Sequence, residues 1–577
     1  AGKIKKRWSN LLALKKIMIS KKLITTLSVA SFILIGCDTS SSCIESDSLI
    51  YNTTIYTAND TLPQAQAVAV KDGNIIFVGN DKAAEVYKCG NAKLLNMEGL
   101  FVYPGFIDAH VHIKGIGYRD LNLNLQGINS LKEMLTTVEI YSNSVEPGGW
   151  VVGRGWIEKN WPEARFPTIE ELDRFSPDKP VVLERADGHA VIVNSYALNL
   201  AGINSKTQDP LGGAVIKDKS GNPTGLLVDK ASLMVEKLIP KKSKAQDKRA
   251  LKIAIDNSIE YGWTQLQDAG SPYSDFELLK EIKSEGDLNI RVQLYISDGP
   301  DVLKEMIKGF EIDPEHFLST RGIKLYADGA IGSRGAAFLT SYKDFDTSGF
   351  LIFEKNKTMP KLIEALKKGI QIQTHAIGDK ANKVTLDWYQ EAFDTVEEKD
   401  RLIKDPRWRI EHAQNILPKD QLRYRALKVI ASMQPSHAIG DLHFAEKRLG
   451  LSRLKNAYVW RSLLDLDVKV VGGSDAPVEI GDPRIEFKAA VSRTDLDGFH
   501  GEGWHLEESV TRDEALKMFT KWPSYAVFEE DVKGTIEVGK LADFTIFSKD
   551  LMTIPVEEIM SSKNMMTIVS GEVVYSR

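Results

Sequence analysis

The 577-residue chain has few cysteines, no excess of basic charge and few long apolar runs, and each of these features excludes a class of protein. Three cysteines are too few for a disulfide framework or for a zinc site made only of thiolates. The formal net charge is −5, so no basic excess indicates a nucleic-acid partner. Beyond residue 36, no apolar run has the length that crosses a membrane.

The first 36 residues differ from the rest, because they contain eight Lys or Arg and no Asp or Glu. Removing those eight positive charges from the total of −5 leaves −13 for residues 37–577. A positive segment ahead of a short apolar stretch is typical of a signal peptide, and the residues LIGC that end at Cys37 resemble a bacterial lipobox. We therefore expect residues 1–36 to be a leader and lipoprotein signal peptide, Cys37 to be lipidated, and residues 37–47 to be a tether.

Short apolar segments alternate with helical patterns through the middle of the chain, which predicts an α/β fold with a parallel sheet. Eight such strands would close a (β/α)₈ TIM-like barrel. The predicted strands are 101–112, 263–268, 290–296, 323–328, 370–375, 408–412, 429–434 and 468–475.

Two further regions fall outside this barrel pattern. Residues 48–100 and 531–577 show short strands separated by turns, which predicts one small β-sandwich assembled from both termini. The barrel would then occupy residues 101–530. Within it, the stretch of about 113–260 is too long for one crossover connection, so we expect an insertion domain over the barrel mouth.

Histidines and an aspartate occupy the ends of four predicted strands, where parallel barrels carry their chemistry. His110 and His112 are separated by one residue, so on a strand they project to the same face. His375, His412 and Asp475 end three other strands. Neutral imidazole and carboxylate are ligands for zinc and similar ions. The sequence therefore predicts a divalent metal centre at this end of the barrel.

Several spaced motifs resemble the amidohydrolase superfamily of metal-dependent hydrolases. They are residues 104–112 (PGFIDAHVH), 472–477 (GGSDAP) and 534–544 (GTIEVGKLADF). Residues 153–156 (GRGW), 161–168 (WPEARFPT), 187–189 (DGH) and 324–333 (KLYADGAIGS) resemble family 3, the branch that contains N-substituted formamide deformylase. The resemblance runs from about residue 48 to residue 577. It implies hydrolysis of a C–N bond in an N-substituted formamide or related amide.

The same resemblance implies a role for each ligand position of the family pattern. His110 and His112 match the ligands of a first metal ion, and His375 and His412 match those of a second. Asp475 matches the aspartate that binds the first ion and also shuttles a proton during catalysis.

Lys324 matches a lysine that, in related members, CO₂ converts to a carbamate bridging two metal ions. Only a neutral amine reacts with CO₂, and burial would lower the lysine pKa. The expected cofactors are one or two zinc ions, with the carbamate on Lys324 for the pair. A salt bridge from Lys324 to Asp328 is the alternative, and it would favour a single metal ion.

Other residues are candidates for contact with the substrate. His189 would reach a substrate oxygen from the insertion as a catalytic group, with a structural role as the equal alternative. Asp328, Arg334, Trp156 and His437 are candidate substrate-binding residues. Core packing is the alternative for Trp156, and bracing a carboxylate is the alternative for Arg334.

The predictions for two further residues concern side-chain orientation and packing. Glu411 precedes His412 on a strand, so alternation predicts that its side chain points away from the metal. Cys89 is expected to be a buried small hydrophobic residue rather than a nucleophile.

The expected partner is a small-molecule amide, with no nucleic acid and with membrane contact only through the N-terminal lipid. A homodimer is compatible with the sequence. It predicts a bacterial cell-envelope protein that faces the periplasm or the exterior. A metal-dependent esterase, lactonase or deaminase is the alternative on the same barrel. A ligand-binding lipoprotein that has lost catalysis is the alternative outside enzymes, and it is disfavoured because every expected ligand type is present.

Overall fold

The computed structural model describes residues 43–577, apart from 147, 300, 301, 303, 306–309, 502 and 503. The predicted signal peptide, the predicted lipidation site Cys37 and most of the predicted tether lie outside the described residues. Across the part of the chain that is described, no helix combines the length and apolar character needed to cross a bilayer.

Eight strands pair in parallel and in chain order, as the sequence predicts for a (β/α)₈ TIM-like barrel. From first to eighth they are Phe106–Val111, Trp263–Ser271, Arg291–Ser297, Leu318–Tyr326, Gln371–Ala376, Arg409–His412, Ile430–Met433 and Val470–Gly472. The Asp475 amide donates a hydrogen bond to the His110 carbonyl, at 2.7 Å, which links the ends of the eighth and first strands. The predicted fold class is confirmed.

Helices surround the barrel, and the one before the second strand illustrates how the sequence places them. Ser243 and Gln246 form a capping box at the start of Lys244–Tyr261, and Gly262 ends the helix with φ 109°. The barrel helices in the described residues are Ile113–Leu121, Lys244–Tyr261, Tyr273–Ser284, Lys355–Lys368, Asp379–Thr395, Pro418–Leu427, Pro435–Asp441, Ala445–Leu449, Leu451–Leu454, Trp460–Asp465, Pro483–Ser492, Arg512–Met518 and Lys521–Ala526.

The insertion has its own sheet and its own apolar core. Its strands are Leu123–Asn124, Val151–Trp156, Val181–Arg185, Ala190–Val193, Gly213–Lys217 and Pro223–Asp229, and its helices are Leu131–Ser144, Ile169–Phe175, Ser195–Ala201 and Leu233–Glu236. The strands of the insertion lie within residues 123–229, a shorter range than the predicted 113–260. The helices Ile113–Leu121 and Lys244–Tyr261, which flank this range, belong to the barrel. Tyr118 on one of them donates a 2.6 Å hydrogen bond to Asp247 on the other.

Two sheets form the predicted sandwich, and one of them joins the two ends of the chain. The first sheet has strands Ser48–Tyr51, Ala67–Lys71, Asn74–Gly79 and Lys93–Asn96. The second has strands Thr54–Tyr56, Gln64–Ala65, Phe101–Pro104, Phe544–Phe547, Asn564–Val569 and Glu572–Ser576. The strand Phe101–Pro104 leads directly into the first barrel strand, so the sandwich fixes where the barrel begins.

One prediction for the sandwich is wrong. Cys89 is bonded to Cys43 in a disulfide that spans 46 residues of sequence, rather than packing as a free thiol. Cys43 lies shortly before the first strand of the first sheet, and Cys89 lies shortly after the short helix Asp81–Ala84. Spacing alone does not reveal a disulfide, although a lipidated Cys37 would have left only these two cysteines to pair.

Candidate metal centre

Three predicted ligands converge at the C-terminal end of the barrel. One ligand atom from each of His110, His412 and Asp475 lies within 4.8 Å of the others. The His375 ring centroid is 4.4 Å from that of His412, and the His112 ring centroid is 5.5 Å from that of His110. The structure therefore brings the four predicted histidines and the aspartate to one place.

Asp475 lies at the centre of this group. Its Oδ1 is 3.2 Å from His112 Nε2 and 3.4 Å from His110 Nε2, and its Oδ2 is 3.4 Å from His437 Nε2. The backbone of Asp475 has φ 58°, which turns the chain sharply after the eighth strand. Burial alone would raise the pKa of Asp475, but the neighbouring histidines lower it well below its usual range.

A glycine permits the eighth strand to approach the first this closely. A Cβ on Gly473 would lie 2.4 Å from the His110 backbone nitrogen. No side chain fits in that space. Gly473 therefore places Asp475 beside the histidines of the first strand.

The residues of the centre fit a metal ion. His110 Nε2, His375 Nε2 and Asp475 Oδ1 are buried and have no hydrogen-bond partner. A buried polar atom left unpaired costs about 1–3 kcal/mol. Burial also lowers the pKa values of His375 and His412 well below the ordinary value, which favours the neutral imidazole that binds metals. A divalent ion would satisfy these atoms together.

Hydrogen bonds at Nδ1 orient two of the histidines, His110 and His412. Glu411 Oε2 lies 2.5 Å from His110 Nδ1, and Gln434 Oε1 lies 2.8 Å from His412 Nδ1. The prediction that Glu411 points away is therefore wrong. The backbone of His412 has φ 68°, which breaks the strand alternation, so Glu411 and His412 both face the interior. Carboxylates and amides in this position fix the tautomer of a ligating histidine.

Lys324 lies on the fourth strand and lines the same cavity. It is buried, its Nζ donates a 3.0 Å hydrogen bond to the Ala269 carbonyl, and burial lowers its pKa. The alternative salt bridge to Asp328 does not form. Asp328 instead accepts hydrogen bonds from backbone amides, two of them from Ile377 and Gly378, and lies 3.5 Å from His375 Nε2.

His189 reaches the cavity from the insertion. Its Nδ1 lies 2.6 Å from Asp229 Oδ1, and its ring centroid is 5.5 Å from that of His375. Burial alone would lower the pKa of His189, but the charge and hydrogen bond of Asp229 raise it to about 9. The imidazole is thus cationic at neutral pH, held by a residue that sequence reasoning did not single out.

The centre opens into a cavity of about 610 Å³ between the barrel and the insertion. Besides the residues above, the wall includes Arg154, Ile157, Lys159, Asp187, Tyr326, Ile331, Asp441, Phe444, Glu479 and Ile480. Most of these residues escaped the sequence reasoning because they lie in loops and in the insertion, whereas Tyr326 ends the fourth barrel strand and Asp441 ends the helix Pro435–Asp441. Periodicity and motif spacing carry little information in loops and in the insertion.

Of the four candidate substrate-binding residues, one lines the cavity and three do not. His437 lines the cavity. Trp156 does not. It is fully buried in the core of the insertion and donates a 2.8 Å hydrogen bond to the Leu183 carbonyl, so core packing explains it. Arg334 is paired with Asp344 at 2.9 Å, and neither Arg334 nor Asp328 belongs to the cavity wall.

Comparison with known proteins agrees with this geometry. The profile of the amidohydrolase family matches residues 93–575. The putative amidohydrolase YtcJ of Bacillus subtilis is 30% identical over 531 residues, which cover 91% of this chain and 98% of the relative. N-substituted formamide deformylase of Arthrobacter pascens is 29% identical, with coverage of 92% and 98%.

Among solved structures, an uncharacterized metal-dependent hydrolase from Pyrococcus furiosus superposes with a TM-score of 0.67. It is 27% identical, and the match covers 88% of this chain and 100% of the other. The family profile spans most of the chain, and the motif histidines and aspartate meet in space. The chain therefore belongs to the amidohydrolase family.

Proposed function

We propose that the protein is a metal-dependent hydrolase that cleaves the C–N bond of an N-substituted formamide or a related amide. The convergence of His110, His412 and Asp475, with unpaired ligand atoms beside the cavity, carries this proposal. The similarity to an N-substituted formamide deformylase supports the choice of bond. The reaction would consume one water molecule and release an amine and a carboxylic acid.

The proposed roles follow from the positions of the side chains. A bound divalent ion would make water nucleophilic at neutral pH and polarise the scissile carbonyl. Asp475 would accept a proton from the attacking water and deliver it to the leaving nitrogen, because an amide nitrogen departs poorly without it. His189, held by Asp229, would donate a hydrogen bond to the oxygen of the substrate.

Lys324 is proposed to carry a carbamate that helps to hold a pair of zinc ions. Its burial favours the neutral amine that reacts with CO₂, and its hydrogen bond to Ala269 keeps the side chain at the cavity. The metal content of purified Lys324→Ala distinguishes the two stoichiometries. A fall from about two ions per chain to about one supports the bridged pair, whereas about one ion in both proteins supports a single-metal centre.

Hydrolysis of a matched set of substrates tests the function itself, measured as release of benzylamine from the amides and of benzyl alcohol from the ester. N-Benzylformamide, N-benzylacetamide and benzyl formate present the same benzyl group behind two amide bonds and one ester bond. We expect zinc-loaded protein to hydrolyse an amide, and Asp475→Asn to lower turnover by about 10²–10⁴-fold. Asp497→Asn, which changes an exposed aspartate, serves as the control. Activity on the ester alone, or on none of the three, would contradict the proposal.

The protein is further proposed to be anchored in a bacterial envelope through a lipid on Cys37. The Cys43–Cys89 disulfide supports an oxidising compartment, since such bonds persist outside the cytosol. Fractionation of cells that express wild type and Cys37→Ser tests this. Wild type should pellet with membranes and the variant should not, and equal distribution of the two would contradict the anchor.

A further inference from the structure

A lysine of the insertion faces the catalytic cavity without a bonded counter-ion. Lys159 lies in the one-turn segment Glu158–Asn160 and lines the cavity wall. A buried ion pair fixes this turn, because Arg185 Nε lies 2.8 Å from Glu158 Oε2. The Lys159 ammonium lies 3.2 Å from the ring centroid of Phe444, which belongs to the same wall.

The other cations of the wall are already bonded. Arg154 Nη1 lies 2.7 Å from Glu184 Oε1, and Lys324 donates to the Ala269 carbonyl. Within the described residues, the Lys159 ammonium makes neither a hydrogen bond nor an ion pair, and Phe444 is its close contact. A partly desolvated ammonium with only an aromatic face beside it has donors to offer to a ligand.

Four carboxyl groups interact electrostatically with Lys159 and none is bonded to it: Glu158, Asp187, Asp441 and Glu479. Glu158 and Asp187 are both paired with Arg185. Asp441 accepts a 2.9 Å hydrogen bond from Tyr458, and burial raises its pKa. Burial likewise raises the pKa of Glu479 to about 8, so that this side chain is largely neutral at pH 7. Burial lowers the pKa of Lys159 to about 8, which still leaves the amine mostly protonated at that pH.

The surroundings of Lys159 indicate which part of the substrate it would meet. His437 Nε2 is 3.4 Å from Asp475 Oδ2 and 3.9 Å from Glu479 Oε1, so His437 and Glu479 extend from the proton-donating aspartate into the wall. Lys159 interacts electrostatically with both of them. His189, the proposed donor to the substrate oxygen, lies beside a different predicted ligand, His375. The group attached to the leaving nitrogen would therefore extend toward Lys159.

We propose that Lys159 forms an anion-binding subsite that selects substrates whose nitrogen substituent carries a carboxylate. The proposal rests on the proposed function for the direction in which the amine leaves. The carboxylate would accept hydrogen bonds from the Lys159 ammonium, while the apolar linker would pack on Phe444 and Ile157. Lys159 is then a specificity residue and takes no part in the chemistry.

Binding of a matched pair of product amines tests this without turnover. 4-(Aminomethyl)benzoate and 4-(aminomethyl)benzamide have nearly the same shape and differ in one negative charge. Titration calorimetry on zinc-loaded protein would compare wild type with Lys159→Met, which keeps the chain length but removes the charge. We expect about a 10-fold or greater loss of affinity for the benzoate and no change for the benzamide.

Two further variants keep the result interpretable. Lys159→Arg should retain most of the affinity for the benzoate, and Lys244→Met, which changes an exposed lysine, should retain all of it. An equal loss for both ligands, an unchanged affinity, or no binding of the benzoate to wild type would overturn the subsite. If the charge-dependent binding is found but neither N-formyl derivative is hydrolysed, the proposed function fails and the anion site stands.

Discussion

At the residue scale, the properties of the candidate centre depend on side chains that touch the ligands from behind. His110 brings an imidazole to the metal centre and His189 brings one to the cavity, and each is held by a carboxylate, Glu411 and Asp229 respectively. The two carboxylates serve different ends. Glu411 is buried in the barrel behind a predicted metal ligand, whereas Asp229 belongs to the insertion and holds a group proposed to meet the substrate.

Replacing Glu411 with Gln should weaken metal binding about 10- to 100-fold, because His110 loses the anion that fixes its tautomer and raises its basicity. Chelator competition for zinc measures this. Glu486→Gln is a matched control, because Glu486 is equally buried and burial raises its pKa well above the ordinary value, so the amide resembles the neutral acid. Unchanged zinc affinity in Glu411→Gln would remove Glu411 from the metal centre.

Replacing Asp229 with Asn should lower turnover about 10²-fold and leave the zinc content unchanged, because His189 loses the charge that keeps it protonated and oriented. His189→Gln should give a similar loss. Since the two residues act as one unit, the double variant should be no worse than either single variant. Losses that multiply in the double variant would show that His189 and Asp229 act independently.

At the element scale, much of the site follows from the strands, and these were predictable. Parallel barrel strands are buried on both faces and read as short apolar runs, so all eight could be placed from the sequence. Their ends then predicted the ligands. Glu411 was misplaced because the left-handed turn at His412 leaves no mark in the sequence. Lys159 and Asp229 could not be placed, since both belong to the insertion, and their distance from the metal centre depends on how the insertion packs on the barrel.

A buried ion pair joins the barrel to the sandwich. Its arginine, Arg291, is the first residue of the third barrel strand. Arg291 Nε lies 2.7 Å from Asp543 Oδ2, and Arg291 Nη2 lies 2.9 Å from Asp543 Oδ1. Burial alone would raise the pKa of Asp543, but Arg291 holds it below its usual value. A carboxyl group with a lowered pKa stabilises the fold above its unfolded pKa and loses that effect as the pH falls through its folded pKa.

Asp543→Asn should therefore lower the free energy of unfolding by about 3–5 kcal/mol at pH 7, because Arg291 is left buried without a counter-charge. Urea unfolding measures the loss, and the gap from wild type should narrow as the pH falls below about 4. Glu277→Gln breaks an exposed pair with Lys280 and should cost less than about 1 kcal/mol. A gap that stays constant down to pH 2 would contradict the ion-pair explanation.

At the scale of the whole molecule, the disulfide ties the start of the described chain to the sandwich. Cys43 and Cys89 enclose a loop with a sequence separation of 46 residues. Such a bond stabilises chiefly by restricting the unfolded chain, which predicts a loss of about 2–4 kcal/mol on its removal. Neither cysteine lines the cavity, so kcat should not change.

Cys43→Ser, Cys89→Ser and the double variant test this prediction by thermal unfolding. All three should lose the same stability, and a reducing agent should lower wild type to their level without affecting the variants. A single variant that retains the stability of wild type would mean that the bond contributes nothing.

The sandwich strand Phe101–Pro104, which leads to His110, pairs with Phe544–Phe547 near the other end of the chain. Tyr103 and Asp550, whose side chains are hydrogen-bonded across this junction, are 447 residues apart. A ribosome that adds about 5–20 residues per second needs roughly 20–90 s to make the intervening chain. During that time the first barrel strand has no finished support. The centre that includes His110 and Asp475, with its supporting strand pair, would therefore be completed only after almost the whole chain has been made.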